Sequence, residues 1–294
     1  MNQIQNCAWI QKSGLFTATK QHGNCQPAYH SCSPVRIPPQ ILVACIALVA
    51  ASSPAHADDP APAPINTDRP AVTDSSVVVP QGTLQAENGF TDTVSGGQSS
   101  YDGPETLLRF GVASKTELRL ITPDYFGVFA MGSELRSGFG DLTLGLKQQL
   151  GPTPGGFDVS LILSLSLPTG ARDFSSHGYD PSVQLPWSRS LSTNWTAAGM
   201  LSVYWPTEAG HRNITGETTF LIDRQLTKRW DAFVEYAGDF PESGGPRHLA
   251  HFGTAFKPTP QQQLDFHVGV GLSRAAVDHF IGVGYSFRFA LVRH

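Results

Sequence analysis

The sequence predicts an all-β fold: a transmembrane, up-and-down, antiparallel β-barrel of about twelve strands, within a range of roughly ten to fourteen. Three observations predict it. Apolar and polar residues alternate with period two in segment after segment, and no window sustains a helical apolar period. Long and short connections alternate between those segments. One face of the clearest segments is Leu, Val and Phe, whereas the other is Gly, Ser, Thr, Asp and Gln. Composition agrees. Only 15% of residues are charged, against about 25% in ordinary globular proteins, which argues against a coiled coil or a charged disordered tail. A mean hydropathy of −0.14 argues against a bundle of membrane helices.

The first 57 residues follow different rules. They hold all four cysteines (Cys7, Cys25, Cys32 and Cys45), the bases Lys12, Lys20 and Arg36, and no Asp or Glu. Residues 41–51 (ILVACIALVAA) form the one long apolar run, too short to span a bilayer as a helix. A basic flank, a short apolar core and Ala55-His56-Ala57 make a secretory signal peptide cleaved after Ala57. Leu42-Val43-Ala44-Cys45 also has the form of a lipobox, which would place a lipid on Cys45, but the apolar run continues past that cysteine. The leader is long, and a later start codon would bring it to ordinary length. Its removal leaves 17 basic against 24 acidic residues, a net charge of −7 that disfavours nucleic-acid binding. Residues 58–82 open with Asp-Asp-Pro-Ala-Pro-Ala-Pro and are a periplasmic spacer or a plug segment.

The barrel is expected over 83–289, with 290–294 as an extension. Its strands, in order, are 83–93, 106–112, 116–122, 141–150, 157–167, 180–191, 195–204, 214–226, 230–238, 248–256, 264–272 and 279–289. The alternation is clearest in three of them. Leu142, Leu144, Leu146 and Leu150 alternate with Asp141, Thr143, Gly145, Lys147 and Gln149. Phe157, Val159, Leu161, Leu163, Leu165 and Leu167 alternate with Asp158, Ser160, Ile162, Ser164 and Ser166. Leu264, Phe266, Val268, Val270 and Leu272 alternate with Asp265, His267, Gly269 and Gly271. Each is about ten residues, the length a tilted transmembrane strand needs. Connections such as 94–105, 123–139 and 168–179 are long, and 113–115, 192–194 and 227–229 are short. Outer-membrane barrels pair short periplasmic turns with longer outer loops, and an even strand number leaves both termini in the periplasm.

The small polar face suits a watery lumen, and the apolar face suits lipid. Trp187, Trp195, Trp205 and Trp230 fall at or near strand ends, where aromatic girdles sit. Pro186 removes a ladder donor, so a bulge is expected there. Ile281, Val283, Tyr285, Phe287 and Phe289 alternate up to a final aromatic, similar to the terminal strand that outer-membrane assembly machinery recognises, although five residues follow.

Asn66-Thr-Asp-Arg-Pro-Ala-Val-Thr-Asp-Ser, Gln81-Gly-Thr-Leu-Gln-Ala-Glu-Asn-Gly-Phe and Gly138-Phe-Gly-Asp-Leu-Thr-Leu-Gly-Leu-Lys carry a resemblance. The chain resembles, from about Ile65 to Phe289, bacterial outer-membrane barrels of the meta-pathway phenol-degradation and transporter family. The resemblance implies a barrel in the outer membrane of a Gram-negative bacterium. It leaves the solute open, because fold analogy alone does not fix function.

The leading expectation is a monomeric channel for small solutes, aromatic or hydrophobic compounds of phenol type among them. Strand parity sends Glu87, Glu117, Asp141, Asp158, Glu217, Asp223, Asp231, Glu235 and Asp265 into the lumen, with Arg109, Arg119, Lys147 and His267. An acid-biased wall favours cations and neutral solutes. The competing expectation is that these charges pair into a bracing network and the barrel is filled and structural. Asp68 and Arg69 are candidates for a plug that reaches back into the lumen. Tyr125, Phe126 and Phe129 of the longest loop are candidates for a constriction at the mouth.

A rim-site hydrolase is the rival class. No G-x-S-x-G, H-E-x-x-H, Walker or dinucleotide motif is present, so no catalytic residue or cofactor is assigned. His248 and His251 are spaced i,i+3, which on a strand puts them on opposite faces, so no metal site is expected. Asp265, His267 and Ser286 share the inward face and form the one arrangement that a hydrolase could use. The partners expected are outer-membrane lipid, the assembly machinery and the solute.

Overall fold

A computed structural model describes residues 63–130 and 135–291. The leader, its cleavage point at Ala57 and Cys45 lie outside the described residues. In chain order the strands are β1 (Thr83–Ser95), β2 (Gln98–Gly103), β3 (Leu107–Ala113), β4 (Thr116–Ile121), β5 (Tyr125–Ala130), β6 (Arg136–Phe139), β7 (Leu142–Gln149), β8 (Phe157–Leu167) and β9 (Asp180–Ser192). They continue with β10 (Trp195–Tyr204), β11 (Thr207–Glu208), β12 (His211–Arg212), β13 (Thr215–Thr227), β14 (Trp230–Pro241), β15 (Arg247–Thr259), β16 (Gln262–Gly271) and β17 (His279–Ala290).

Twelve of these form the wall, in the ring order β1-β3-β4-β7-β8-β9-β10-β13-β14-β15-β16-β17. The ring closes by antiparallel pairing of β1 with β17, from Thr83↔Ala290 to Val94↔His279. All wall neighbours are antiparallel, and the twelve strands fall where the period-two pattern placed them. Closure leaves the wall ring itself without an end strand, which a sheet in hydrocarbon requires.

Three connections hold more order than the sequence suggested. β1 pairs with β3 only from Leu84 to Glu87, so its far half needs another partner. β2 supplies it, pairing Thr91–Ser95 with Gln98–Asp102 through a hairpin whose tip, Gly96-Gly97, takes positive φ at both positions. β5 then pairs with β2, and β6 with β5. The segment 123–139, expected as a loop, is therefore largely a hairpin extending the sheet beyond the wall. β11 and β12 form a separate two-stranded ribbon.

Pro186 does not produce a bulge. β8 and β9 pair from Phe157↔Arg189 to Val159↔Trp187 and again from Ile162↔Gln184, in unchanged register. The missing N–H interrupts the ladder without shifting it.

The faces are inverted relative to a soluble protein. Phe90, Leu118, Leu144, Leu163, Leu201, Phe220, Val234, Phe252, Phe266 and Val283 are exposed around the wall. Among the described residues, buried polar and charged residues outnumber buried hydrophobic ones. In water such a continuous apolar surface is costly, whereas lipid removes that cost. The inward face is not wholly polar, however. Val72, Ala237, Leu249, Val277 and Phe280 form a buried apolar cluster inside the ring. Trp195 and Trp230 are exposed beside the short turns, with Arg224 5.1 Å from the Trp195 ring. Trp205 instead lines an inner cavity, a departure from the expected girdle.

Gly111 shows how closely the chain before β1 meets the wall. A Cβ at this position would lie 2.2 Å from the Pro80 carbonyl oxygen, a backbone atom that cannot swing aside. Gly111→Ala is expected to destabilise the barrel by about 1–3 kcal/mol. Urea titration of the lipid-reconstituted protein by Trp fluorescence checks this, and an unchanged midpoint would rule the contact out as a constraint.

Candidate lumen and plug site

The inward face is crossed by residues 65–79, which lie inside the ring. Ile65 N–H donates to the Pro260 carbonyl in the turn between β15 and β16 at 2.7 Å, and Val79 N–H donates to Glu117 Oε2 at 2.8 Å. Both contacts tie the segment near the short-turn end. Between them it reaches deeper, where Val72 enters the apolar cluster with Val277, a residue of the connection between β16 and β17.

The segment has no strand partner, so its backbone N–H groups need other acceptors. Wall carboxylates provide them. Glu87 Oε2 accepts from Asp68 N–H and Arg69 N–H, at 2.8 and 3.0 Å. Glu235 accepts from Val72 N–H and Thr73 N–H, both at 2.8 Å, and from the Thr73 hydroxyl at 2.6 Å. Ser160 Oγ donates to the Ser76 carbonyl at 2.6 Å.

Side chains complete the docking. Asp68 is 2% exposed and stands among three wall cations: Arg109 at 3.1 Å, Lys147 at 3.3 Å and Arg119. Burial alone would raise its carboxyl. Arg109, Arg119 and Lys147 overcome that and hold it well below the usual carboxylate range. Arg69 pairs with Glu105, lies 3.5 Å from Asp265, and reaches the Val283 carbonyl at 3.3 Å. Asp74 lies 3.6 Å from Arg119 and accepts from Gln184 at 3.1 Å.

Arg109 also bonds Glu87 and Glu117, at 3.0 and 2.9 Å. The cations sit on β3, β4 and β7, whereas Glu235 sits on β14, halfway around the ring from β4. The segment therefore braces opposite walls. Burying this many charges is tolerable only because opposite charges stand together, Asp68, Glu87 and Glu117 against Arg109, Arg119 and Lys147.

The remaining predicted positions are dispersed. Glu217 accepts from Ser202 and Tyr204, at 3.2 and 3.3 Å. Asp141 accepts from Gly170 N–H and Ser176 N–H, at 2.8 and 2.9 Å, so it fixes the connection 168–179 at the rim. Asp158 is half-buried next to Ser188 across the β8–β9 ladder. Asp231 pairs with Lys257 at 2.6 Å, and both line the cavity that Asp223 shares.

Of the three candidate constriction residues, only Phe126 points inward. It is buried and stacks on Phe174, with centroids 5.8 Å apart. Tyr125 and Phe129 are exposed on the other face, against Phe139 and Tyr101. This is a correction with a simple cause: β5 is a strand, so adjacent residues point to opposite faces, and Phe126 is opposed to Tyr125 and Phe129.

The hydrolase arrangement does not assemble. His267 bonds to His251 at 3.0 Å and lies 3.4 Å from Arg69, and His251 bonds to Glu235 at 2.7 Å. Ser286 Oγ has no hydrogen-bond partner among the described residues. No group of three or more metal-ligating side chains occurs among the described residues. His251 points inward, whereas His248 bonds the Tyr236 hydroxyl on the exposed side.

Two cavities flank the crossing segment. One, of about 110 Å³, reaches the long-connection rim between Asp141, Asp180, Tyr204 and Trp205. The other, of about 420 Å³, lies toward the short turns between Ser188, Thr196, Asp223 and Lys257. Asp68, Arg69 and Asp74 line both, so the segment stands between them.

A closed twelve-stranded ring with a lipid-compatible exterior and a charged, occupied interior is a β-barrel of the outer-membrane type. The chain belongs to the family described as "Putative MetA-pathway of phenol degradation", whose model matches residues 67–289. Among solved structures, it is similar to an outer-membrane channel from Pseudomonas putida F1, at 12% identity and a TM-score of 0.57, covering 73% of this chain and 98% of that one. It is also similar to the NanC porin, at 8% identity and a TM-score of 0.50, covering 69% and 98%. No curated protein matches the sequence.

Proposed function

We propose that the protein is a monomeric outer-membrane channel for small solutes, phenol-type aromatic or hydrophobic compounds among them, with residues 65–79 as a resident plug. The observation that carries the plug is the docking of Asp68 and Arg69 onto charges of five wall strands, β1, β3, β4, β7 and β16. In this reading the short turns and both termini face the periplasm, as in bacterial barrels. The aromatic end of β17 is the part offered to the assembly machinery. Family membership and the flanking cavities support a route for solute, with the plug as its gate.

A filled structural barrel is the second reading, favoured by the same bracing contacts. Planar-bilayer recording separates the two. Small steps with cation preference are expected from the intact chain, because acids predominate on the inward face. Anion preference would count against the channel reading. Silence from both the intact chain and a chain lacking the plug would establish the structural one.

A further inference from the structure

The cavity on the long-connection side holds carboxylate oxygens that the plug does not use. Asp102 is the penultimate residue of β2, Glu105 follows that strand, and Asp124 precedes β5; all three are buried in the wall of the same cavity. Arg69 binds one oxygen of Glu105. The other, Glu105 Oε1, and Asp102 Oδ1 have no hydrogen-bond partner among the described residues. Asp102 is 3% exposed and Glu105 8%. Leaving a buried carboxylate oxygen unpaired costs free energy, and more so for a charged group. Among the described residues, the only basic side chains in that cavity wall are Arg69 and Arg119, both engaged by plug or wall acids.

The apolar side of the same cavity is aromatic. Asp102 pairs directly with Phe126 across the β2–β5 ladder, which puts the carboxylate beside the ring on one face. Phe126 and Phe174 stack with planes 6° apart, and Tyr204 and Trp205 also line the cavity. Burial, the neighbouring Glu105 with its side-chain hydrogen bond to Asp102, and Asp124 push the Asp102 carboxyl well above its usual range, as expected where acids outnumber the one nearby cation, Arg69.

We infer that this cavity is a binding site for small primary amines with an aromatic or apolar body, the ammonium held by Asp102 and Glu105 and the body against Phe126 and Phe174. An ammonium brings three donors and one positive charge; it would replace the proton that the Asp102–Glu105 pair shares and offset the negative charge that Arg69 leaves in excess. The ring face adds a cation–π attraction. Binding does not require the lumen to conduct, so the site stands apart from the channel reading.

Calorimetry on the full-length barrel, folded in detergent, tests it with benzylamine, benzyl alcohol and benzoate as probes of nearly equal size. Benzylamine is expected to bind at least about tenfold more tightly than benzyl alcohol, with benzoate weakest. Asp102→Asn is expected to lower benzylamine affinity by about tenfold and leave benzyl alcohol nearly unchanged. Equal affinity for amine and alcohol, or no benzylamine binding at tens of millimolar, would overturn the site. The comparison of probes on the unaltered protein decides the question even if the substitution impairs folding.

Discussion

Deletion of residues 65–78 is expected to raise single-channel conductance by roughly an order of magnitude, because it removes the segment standing between the two cavities of a ring already wider than filled eight-stranded barrels. Val79 to Gly82 remain to lead into β1, held by Glu117 and by Gly82 N–H donating to the Gly111 carbonyl at 2.8 Å. The ring should survive, since its β1–β17 closure does not involve the deleted residues. Heat-modifiable gel mobility checks that survival. A folded deletion chain with unchanged conductance would show that the segment does not gate the lumen.

Asp68→Ala should have the largest effect of any single substitution. Arg109, Arg119 and Lys147 share this one carboxylate on the plug, and losing one partner of a buried ion cluster costs about 3–5 kcal/mol. The cost can be relieved by letting the segment leave and water enter, so release of the plug is the expected response. No cysteine follows Cys45, so a single thiol can report it. In a Ser76→Cys background, where position 76 is buried, Asp68→Ala should speed labelling by a bulky maleimide at least about tenfold. Ion preference should move toward anions, because three cations lose the one carboxylate they share and keep only Glu87, Glu117 and Asp74. Equal labelling rates in both backgrounds would mean that Asp68 does not hold the segment.

Much of the wall is legible in the amino-acid pattern alone. Most of the twelve wall strands are long, and their period-two pattern is fixed by lipid on one side and water or charge on the other, so each reports its own state locally. β2, β5 and β6 do not. They are four to six residues long and exist because the far half of β1 lacks a wall partner, a fact of the ring and not of their own composition. The same distinction divides the site. Parity puts Glu87, Arg109, Glu117, Arg119 and Lys147 on the inward face, but does not say what they bind. Asp68 meets Arg119 and Lys147 across 51 and 79 residues of sequence, and Arg69 meets His267 across 198. Asp102 and Glu105 carry no such local signal, because they flank a strand that the sequence does not announce.

The placement of charge around the ring has a consequence for an unplugged lumen. Arg109, Arg119 and Lys147 occupy three successive strands, while Glu217, Glu235 and Asp239 occupy β13 and β14 on the far side. In the docked state the plug lies between these banks, with Asp68 toward one and the Val72 and Thr73 amides toward the other. Once it leaves, the two banks face each other across water and set up a transverse electric field. A passing solute with a strong dipole would be turned across the axis and sorted by its polarity as well as its size.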